Sequence, residues 1–404
     1  MNWPLMKDTV TLRDRLKLAK FVLTSSKLTG GPRVKEFEKN WSAWLGTTDE
    51  SSSVLRYSAD RSNGIYSLFV SSGSTANFLL LAATIEKYGL KQGDKVIVPA
   101  CTWVTNVAPI IQLGLQPVFC DINLENYSFD LEHLKELAVK HDDIKAVFIT
   151  HLLGFSSCEC NVRQILPKAL LLEDVCEAHG CHDIMGRKCG PNNVGGTFSF
   201  YFGHHMTTVE GGMVSTTDRE LYDIMRMKRS HGLARESSRY QEYASQYPDI
   251  IPSFLFMTDG YNFRNSDIGA VLGLSQLERL DKMIDIRNSN YMIWFELMMD
   301  YYEEFELPEE PNNRMSSFAF PFISRDKESH QHLMDLFDEY GIEYRPIVSG
   351  NLLKQPFLKD FRMEREVCFA DTLNERGCYI GNNHFVGEPE FEILAEVLER
   401  VKQR

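Results

Sequence analysis

Nowhere does the 404-residue sequence contain an apolar run long enough to cross a bilayer. The N-terminal stretch Met1-Asn2-Trp3-Pro4-Leu5-Met6-Lys7-Asp8 lacks the charged-then-apolar pattern of an export signal. Positive charge is in deficit: 43 Lys and Arg against 56 Asp and Glu give a formal net charge of −13. An acidic protein is poorly suited to nucleic acid or an anionic membrane, so neither is expected as a partner. Internal repeats and low-complexity tracts are also missing. Nine cysteines, an odd number in a long chain without an export pattern, are expected as reduced thiols in the cytoplasm.

What is present is an ordinary globular composition, 43% hydrophobic and 25% charged. The length implies two domains, expected at 1–283 and 284–404. Helical spacing marks residues 12–23 and 34–45, and residues 47–64 are polar and loop-like. Strand patterns at 66–70, 95–99, 117–121, 144–150 and 169–173 then alternate with helical ones near 104–113, 131–140 and 162–166. Such alternation predicts an α/β fold with a mostly parallel sheet covered on both faces. One long helical stripe begins at Asp267 and continues past Arg287 towards Tyr301. Strands at 317–323 and 343–347, with helices at 331–340 and 390–402, predict a smaller C-terminal α/β domain.

Chemistry concentrates at strand ends, where α/β enzymes keep reactive groups. Ser72-Gly73-Ser74-Thr75 separates a strand from a helix, where backbone N–H groups and hydroxyls can surround a phosphate at the helix's positive end. The same residues also suit an ordinary capped helix start. Asp174 and Glu177 follow the apolar strand 169–172. A buried carboxylate there can hold a heteroaromatic ring nitrogen protonated, and a helix cap or solvated acidic turn is the alternative. Trp103, beyond another strand, offers a flat face for a planar ring or for the core. A buried strand, 197–202, leads into the loop His204-His205 and then Glu210-Gly211-Gly212, a tight turn before a strand at 213–216.

In chain order, these segments resemble the sugar aminotransferase (DegT/DnrJ/EryC1/StrS) family over nearly the whole length. The resemblance implies an aspartate-aminotransferase-like fold, pyridoxal 5′-phosphate (PLP) as cofactor and a homodimer with shared active sites. It places Gly73, Ser74, Thr75 and Ser199 on the cofactor phosphate and Trp103 against the ring. Asp174 falls to the ring nitrogen, Glu177 near the ring hydroxyl, and Asn262 to a neighbouring subunit's phosphate site. His231 and Arg235, in Ser230-His231-Gly232 and beyond, fall near the sugar.

The family frame has a lysine six residues before the Glu of Glu-Gly-Gly. Here that position is His204, and no lysine occurs between Lys188 and Lys228. An imidazole cannot form a stable covalent link to the cofactor aldehyde, but it exchanges protons well. Within the family this substitution marks sugar 3-dehydratases, with PLP and its pyridoxamine form held non-covalently and His204 as catalytic residue. The implied substrate is GDP-4-keto-6-deoxy-D-mannose or a related GDP-heptose, with L-glutamate as amino donor, in 3,6-dideoxysugar formation for a surface polysaccharide. A C4 aminotransferase and an iron–sulfur 3-dehydrase with a reductase partner are the alternatives. The first wants the missing lysine. The second wants cysteines after Glu-Gly-Gly, and residues 211–262 contain none. Cys158-x-Cys160 is poor chelating spacing, and Cys176, Cys181 and Cys189 are read as buried thiols, so no metal is expected.

Overall fold

The computed structural model describes residues 3–46, 64–157, 159–363, 365 and 368–403. The 47–64 loop, save Gly64, and Cys158 lie outside them. The large sheet is built from β1 (Tyr66–Val70), β2 (Lys95–Pro99), β3 (Gln116–Cys120), β4 (Ile144–Thr150), β5 (Leu170–Asp174), β6 (Gly195–Ser199) and β7 (Gly212–Thr216), in the order β1-β7-β6-β5-β4-β2-β3. β7 runs antiparallel to both neighbours, while β6, β5, β4, β2 and β3 are mutually parallel. Continuous apolar runs such as Lys95-Val96-Ile97-Val98-Pro99 form these strands because both faces are covered. Alternate residues serve different cores. Val96, Val98, Phe148 and Leu172 join one cluster, whereas Ile97, Val147, Ile149 and Leu171 join another on the opposite face.

Two expected elements end early, each for a visible reason. The 197–202 strand stops at Ser199, because the Phe200 carbonyl accepts hydrogen bonds from Thr207 and Thr208 of its own loop. The long helix from Asp267 is two helices, Asp267–Leu277 and Leu280–Met298. At the break Arg279 turns its guanidinium onto the buried Asp14 carboxylate at 2.6 Å and the Thr9 carbonyl at 2.8 Å.

A second sheet, β8 (Ala319–Ile323), β9 (Tyr344–Pro346) and β10 (Gly377–Gly381), is antiparallel with β10 central. β10, Gly-Cys-Tyr-Ile-Gly, carries no alternation that sequence reading could use. The helix Leu280–Met298 joins the two bodies. Leu280, Met283 and Ile284 pack with Phe37, Trp41 and Phe198, while Tyr291, Trp294 and Met298 pack with Phe320, Phe322 and Leu394. Residue 283 thus lies inside this helix, just before its contacts change core. The N-terminus returns to the second body: Trp3 bridges Ile342, and its indole N–H donates to the Gly381 carbonyl at 3.0 Å.

The loop after β4 also ties the bodies together. Phe318 N–H donates to the Leu153 carbonyl at 3.0 Å and Ser316 N–H to the Gly154 carbonyl at 2.9 Å. Gly154 has φ +94°, and a Cβ there would stand 1.9 Å from the Ser316 carbonyl oxygen. Gly154→Ala is therefore expected to cost more than about 2 kcal/mol, measured by urea unfolding. A loss below about 0.5 kcal/mol, the range of an ordinary surface change, would contradict this reading of the loop.

Candidate active site

Segments remote in sequence converge at the carboxyl ends of the parallel strands. A Cβ on Gly73 would stand 2.7 Å from the Ser199 Cβ and 3.3 Å from Cys176 Sγ, so β1's turn, β5's end and β6's end meet there. A Cβ on Gly212 would stand 2.3 Å from the Ser72 carbonyl, which brings β7's start into the same corner. Glycine at both positions permits this approach.

The helix Gly73–Tyr88 starts with a reciprocal cap. Thr75 N–H donates to Ser72 Oγ at 3.1 Å, and Ser72 N–H donates to Thr75 Oγ1 at 3.0 Å. The capped-start alternative is thus realised and consumes the Thr75 amide. No partner appears for the Gly73 and Ser74 amides among the described residues, and Ser74 is exposed. An anion at this helix end would meet those two N–H groups beside the Ser199 hydroxyl.

Asp174, 4% exposed at the tip of β5, is held by two donors. Cys176 N–H reaches Oδ1 and Asn77 Nδ2 reaches Oδ2, both at 2.9 Å. Asn77 also donates to Thr105 Oγ1 at 3.2 Å and accepts from Thr197 Oγ1. It lies one helical turn beyond Gly73, on the same face, a spacing that could have singled it out. Glu177 accepts from Leu153 N–H at 2.9 Å, and burial pushes its carboxyl up to about 7 against that bond. Trp103 is 54% exposed at the start of the turn Val104–Asn106, so its face is available rather than buried in the core.

His204 sits in a tight turn, its N–H donating to the Tyr201 carbonyl at 3.1 Å. Gln276 clamps the loop from the helix Asp267–Leu277, accepting from Thr207 N–H at 3.1 Å and donating to the Thr207 carbonyl at 3.0 Å. The His204 ring lies near the Cys176 backbone, between Asp174 and Glu177, 6.0 Å from the His179 ring and 5.6 Å from the Phe318 ring. Burial first, then the charge of Arg287, lowers its pKa to about 4. His205 points elsewhere: its Nε2 lies 3.2 Å from the Ser316 carbonyl and 3.1 Å from Ser316 Oγ, as a packing residue would.

Asn262, His231 and Arg235 are not gathered into this corner. All three are exposed. His231, at φ +65°, donates its N–H to the Tyr261 carbonyl, its ring lies 3.4 Å from Arg264 Nη2, and Asn262 bridges Ser230. They form an outer edge joined to the corner through Ser71 N–H and the Phe263 carbonyl at 2.9 Å.

Behind β5, on the face opposite Asp174, Glu173 meets His151, and the Cys181 and Cys189 thiols lie close to that imidazole. Ser157 N–H donates to His151 Nδ1 at 3.0 Å, which leaves the ring proton on Nε2, 3.2 Å from Glu173 Oε2. That nitrogen has no lone pair to offer a metal, so the group is a buried polar network.

The DegT/DnrJ/EryC1/StrS aminotransferase family model matches residues 11–392. The chain belongs to this family. Among its members, GDP-4-keto-6-deoxy-D-mannose 3-dehydratase of Yersinia pseudotuberculosis is 32% identical, with 99% of each chain covered. A His-to-Asn mutant of GDP-4-keto-6-deoxymannose-3-dehydratase with bound GDP-perosamine superposes with a TM-score of 0.86 at 31% identity, covering 98% of this chain and 100% of that one. The same enzyme with a trapped PLP-glutamate geminal diamine gives 0.84 at 31%, with the same coverage. The family is PLP-dependent, and the glycine-lined corner with its free helix amides and buried carboxylate fits that cofactor.

Removing the Asn77 amide would leave the buried Asp174 carboxylate short of a donor. Asn77→Ala is expected to weaken PLP binding about tenfold, read by absorbance titration of cofactor-free protein. Unchanged affinity would show that Asp174 does not depend on this bond.

Proposed function

We propose that the chain removes the C3 hydroxyl from a GDP-linked 4-keto-6-deoxy sugar. Glutamate would be converted to 2-oxoglutarate, and the products would be the 3,6-dideoxy-4-keto sugar and ammonia. The observation that carries this reading is His204: the position the resemblance gives to lysine holds an imidazole, buried beside the Asp174–Glu177 segment.

PLP, when bound, supplies an electron sink and, in its pyridoxamine form, an amino group. The Gly73 and Ser74 amides, with Thr75 and Ser199, would hold the phosphate end. Asp174 would keep the ring nitrogen protonated, Glu177 would serve the ring hydroxyl, and Trp103 would cover a face. His204 would be the proton carrier there, a base toward the cofactor's C4′ carbon and an acid toward the departing C3 hydroxyl. A buried imidazole held near 4 is neutral at physiological pH, and once protonated it is a strong donor. Without a lysine at this position, the cofactor stays untethered and can leave in either form.

The outer edge supports a homodimer with shared sites. Asn262, His231 and Arg235 are exposed, beside the exposed Ile251, Phe254 and Phe256. A second copy presenting this edge would complete the phosphate and sugar subsites and cover the apolar surface. The domain division near residue 283 and a cytoplasmic location belong to the same reading.

Mass spectrometry of products from a panel of 4-keto nucleotide sugars with glutamate tests the proposal. Loss of one oxygen from the GDP-6-deoxyhexose, with 2-oxoglutarate formed, is expected. An aminosugar that keeps its C3 hydroxyl would instead mark a C4 aminotransferase. His204→Asn is expected to bind PLP and form 2-oxoglutarate while losing at least about 100-fold in dehydration. Retained dehydration in that variant would remove His204 from the mechanism.

A further inference from the structure

Arg287 lies in the helix that joins the two bodies, at the changeover between their cores. The residue is 3% exposed. Nη1 donates to the Phe318 carbonyl at 3.0 Å and to the Asn382 carbonyl, while Nε is buried without any partner. Among the described residues it forms no ion pair. A buried cation usually has a counter-ion, because carbonyl dipoles alone replace water poorly. The helix is fixed there from the other side too, since Asn382 Nδ2 donates to the Arg287 carbonyl at 2.9 Å.

The same small cavity is lined by Arg287, His204, Gly203 and Phe318, and closed by Met6 of the N-terminal strap. His204 Nδ1, like Arg287 Nε, is buried without a partner. The other ionisable groups here can be named by element. His179 follows β5, with its ring 6.0 Å from His204. His205 is in the same loop, Tyr379 comes from β10, and Lys7 from the strap. Glu177 and Asp174 close the cofactor side through Cys176, and His384 stands near Arg287 beyond β10. Among the described residues the cavity is thus lined by two cations, one imidazole and no carboxylate.

We propose that Arg287 is a positioning residue for proton transfer at His204: its unpaired guanidinium denies charge to the imidazole and keeps it a free base. The proposal rests on the reading of His204 as the base. The guanidinium is anchored on main-chain carbonyls of two segments, so its charge cannot swing away to solvent. A neighbouring fixed cation disfavours a second positive charge, and little water intervenes to screen the two. His179 and His205 feel the same charge and stay neutral, so they neither compete for the proton nor supply one. The low proton affinity also makes protonated His204 eager to release its proton to a leaving hydroxide.

The test is NMR titration of the His204 Cε1–H resonance in cofactor-free protein, assigned through His204→Asn. Wild type and Arg287→Lys are expected to titrate well below the ordinary imidazole range. Arg287→Gln is expected to move the midpoint up by at least about one unit, a tenfold gain in proton affinity. The acid limb of kcat against pH should move upward with it in Gln and stay in place in Lys. A wild-type midpoint in the ordinary range overturns the proposal by itself, even if Arg287→Gln does not fold. An unshifted midpoint in folded Arg287→Gln, checked by near-ultraviolet circular dichroism, also overturns it. If the midpoint shifts but no sugar is deoxygenated, the functional reading fails and the Arg287 coupling stands.

Discussion

The approach of Gly73 to Ser199 and of Gly212 to Ser72 is the constraint on which the site depends. A methyl group on either glycine would collide with its neighbour at 2.7 Å or less, so the chain can close here only without side chains. Because it closes, the helix Gly73–Tyr88 aims its unused amides beside Ser199, and Asn77, one turn later, reaches Asp174. The loop that leaves Ser199 then has little freedom. Phe200 captures Thr207 and Thr208, Gln276 captures Thr207, and His204 is delivered to the Cys176 backbone.

Much of this was legible in the sequence, for reasons that can be named. β1, β2, β4 and β5 are short apolar runs at regular spacing, and the small-residue turn, Trp103 and the acidic pair follow β1, β2 and β5. The small-residue turn, the acidic strand end and the His204 loop could be ordered along the chain without coordinates. Other features depend on partners far away. The Asp267 helix breaks because Arg279 finds Asp14, which no periodicity reveals. β10 is flanked by glycines and takes its identity from pairing on both edges. The N-terminal strap docks through Trp3 on Gly381, a contact 378 residues apart in sequence.

The cysteines and histidines show the same limit. Cys181 and Cys189 are brought together by a turn that has no sequence signature of metal binding, and only the Ser157 hydrogen bond to His151 decides the proton's place. His204 and His205 are indistinguishable as letters. One lies against the Cys176 backbone beside the carboxylates, and the other faces Ser316. Arg287 reads in the sequence as one more helical cation, although the fold buries it and, among the described residues, pairs it with no carboxylate. Electrostatic character of this kind is a property of burial and is not carried by residue type.

At the centre of the proposal stands an imidazole where the family resemblance places a lysine, and with it a cofactor that would be held by contacts alone. The one lysine lining the cavity beside His204 is Lys7, whose ammonium lies 4.9 Å from the Phe385 ring centroid. Intact-mass and peptide-mass measurement of the PLP-loaded wild-type protein after borohydride reduction addresses this directly. The expected result is a polypeptide of unchanged mass, with the cofactor recovered free. A phosphopyridoxyl group fixed to Lys7 or to any other lysine would contradict it.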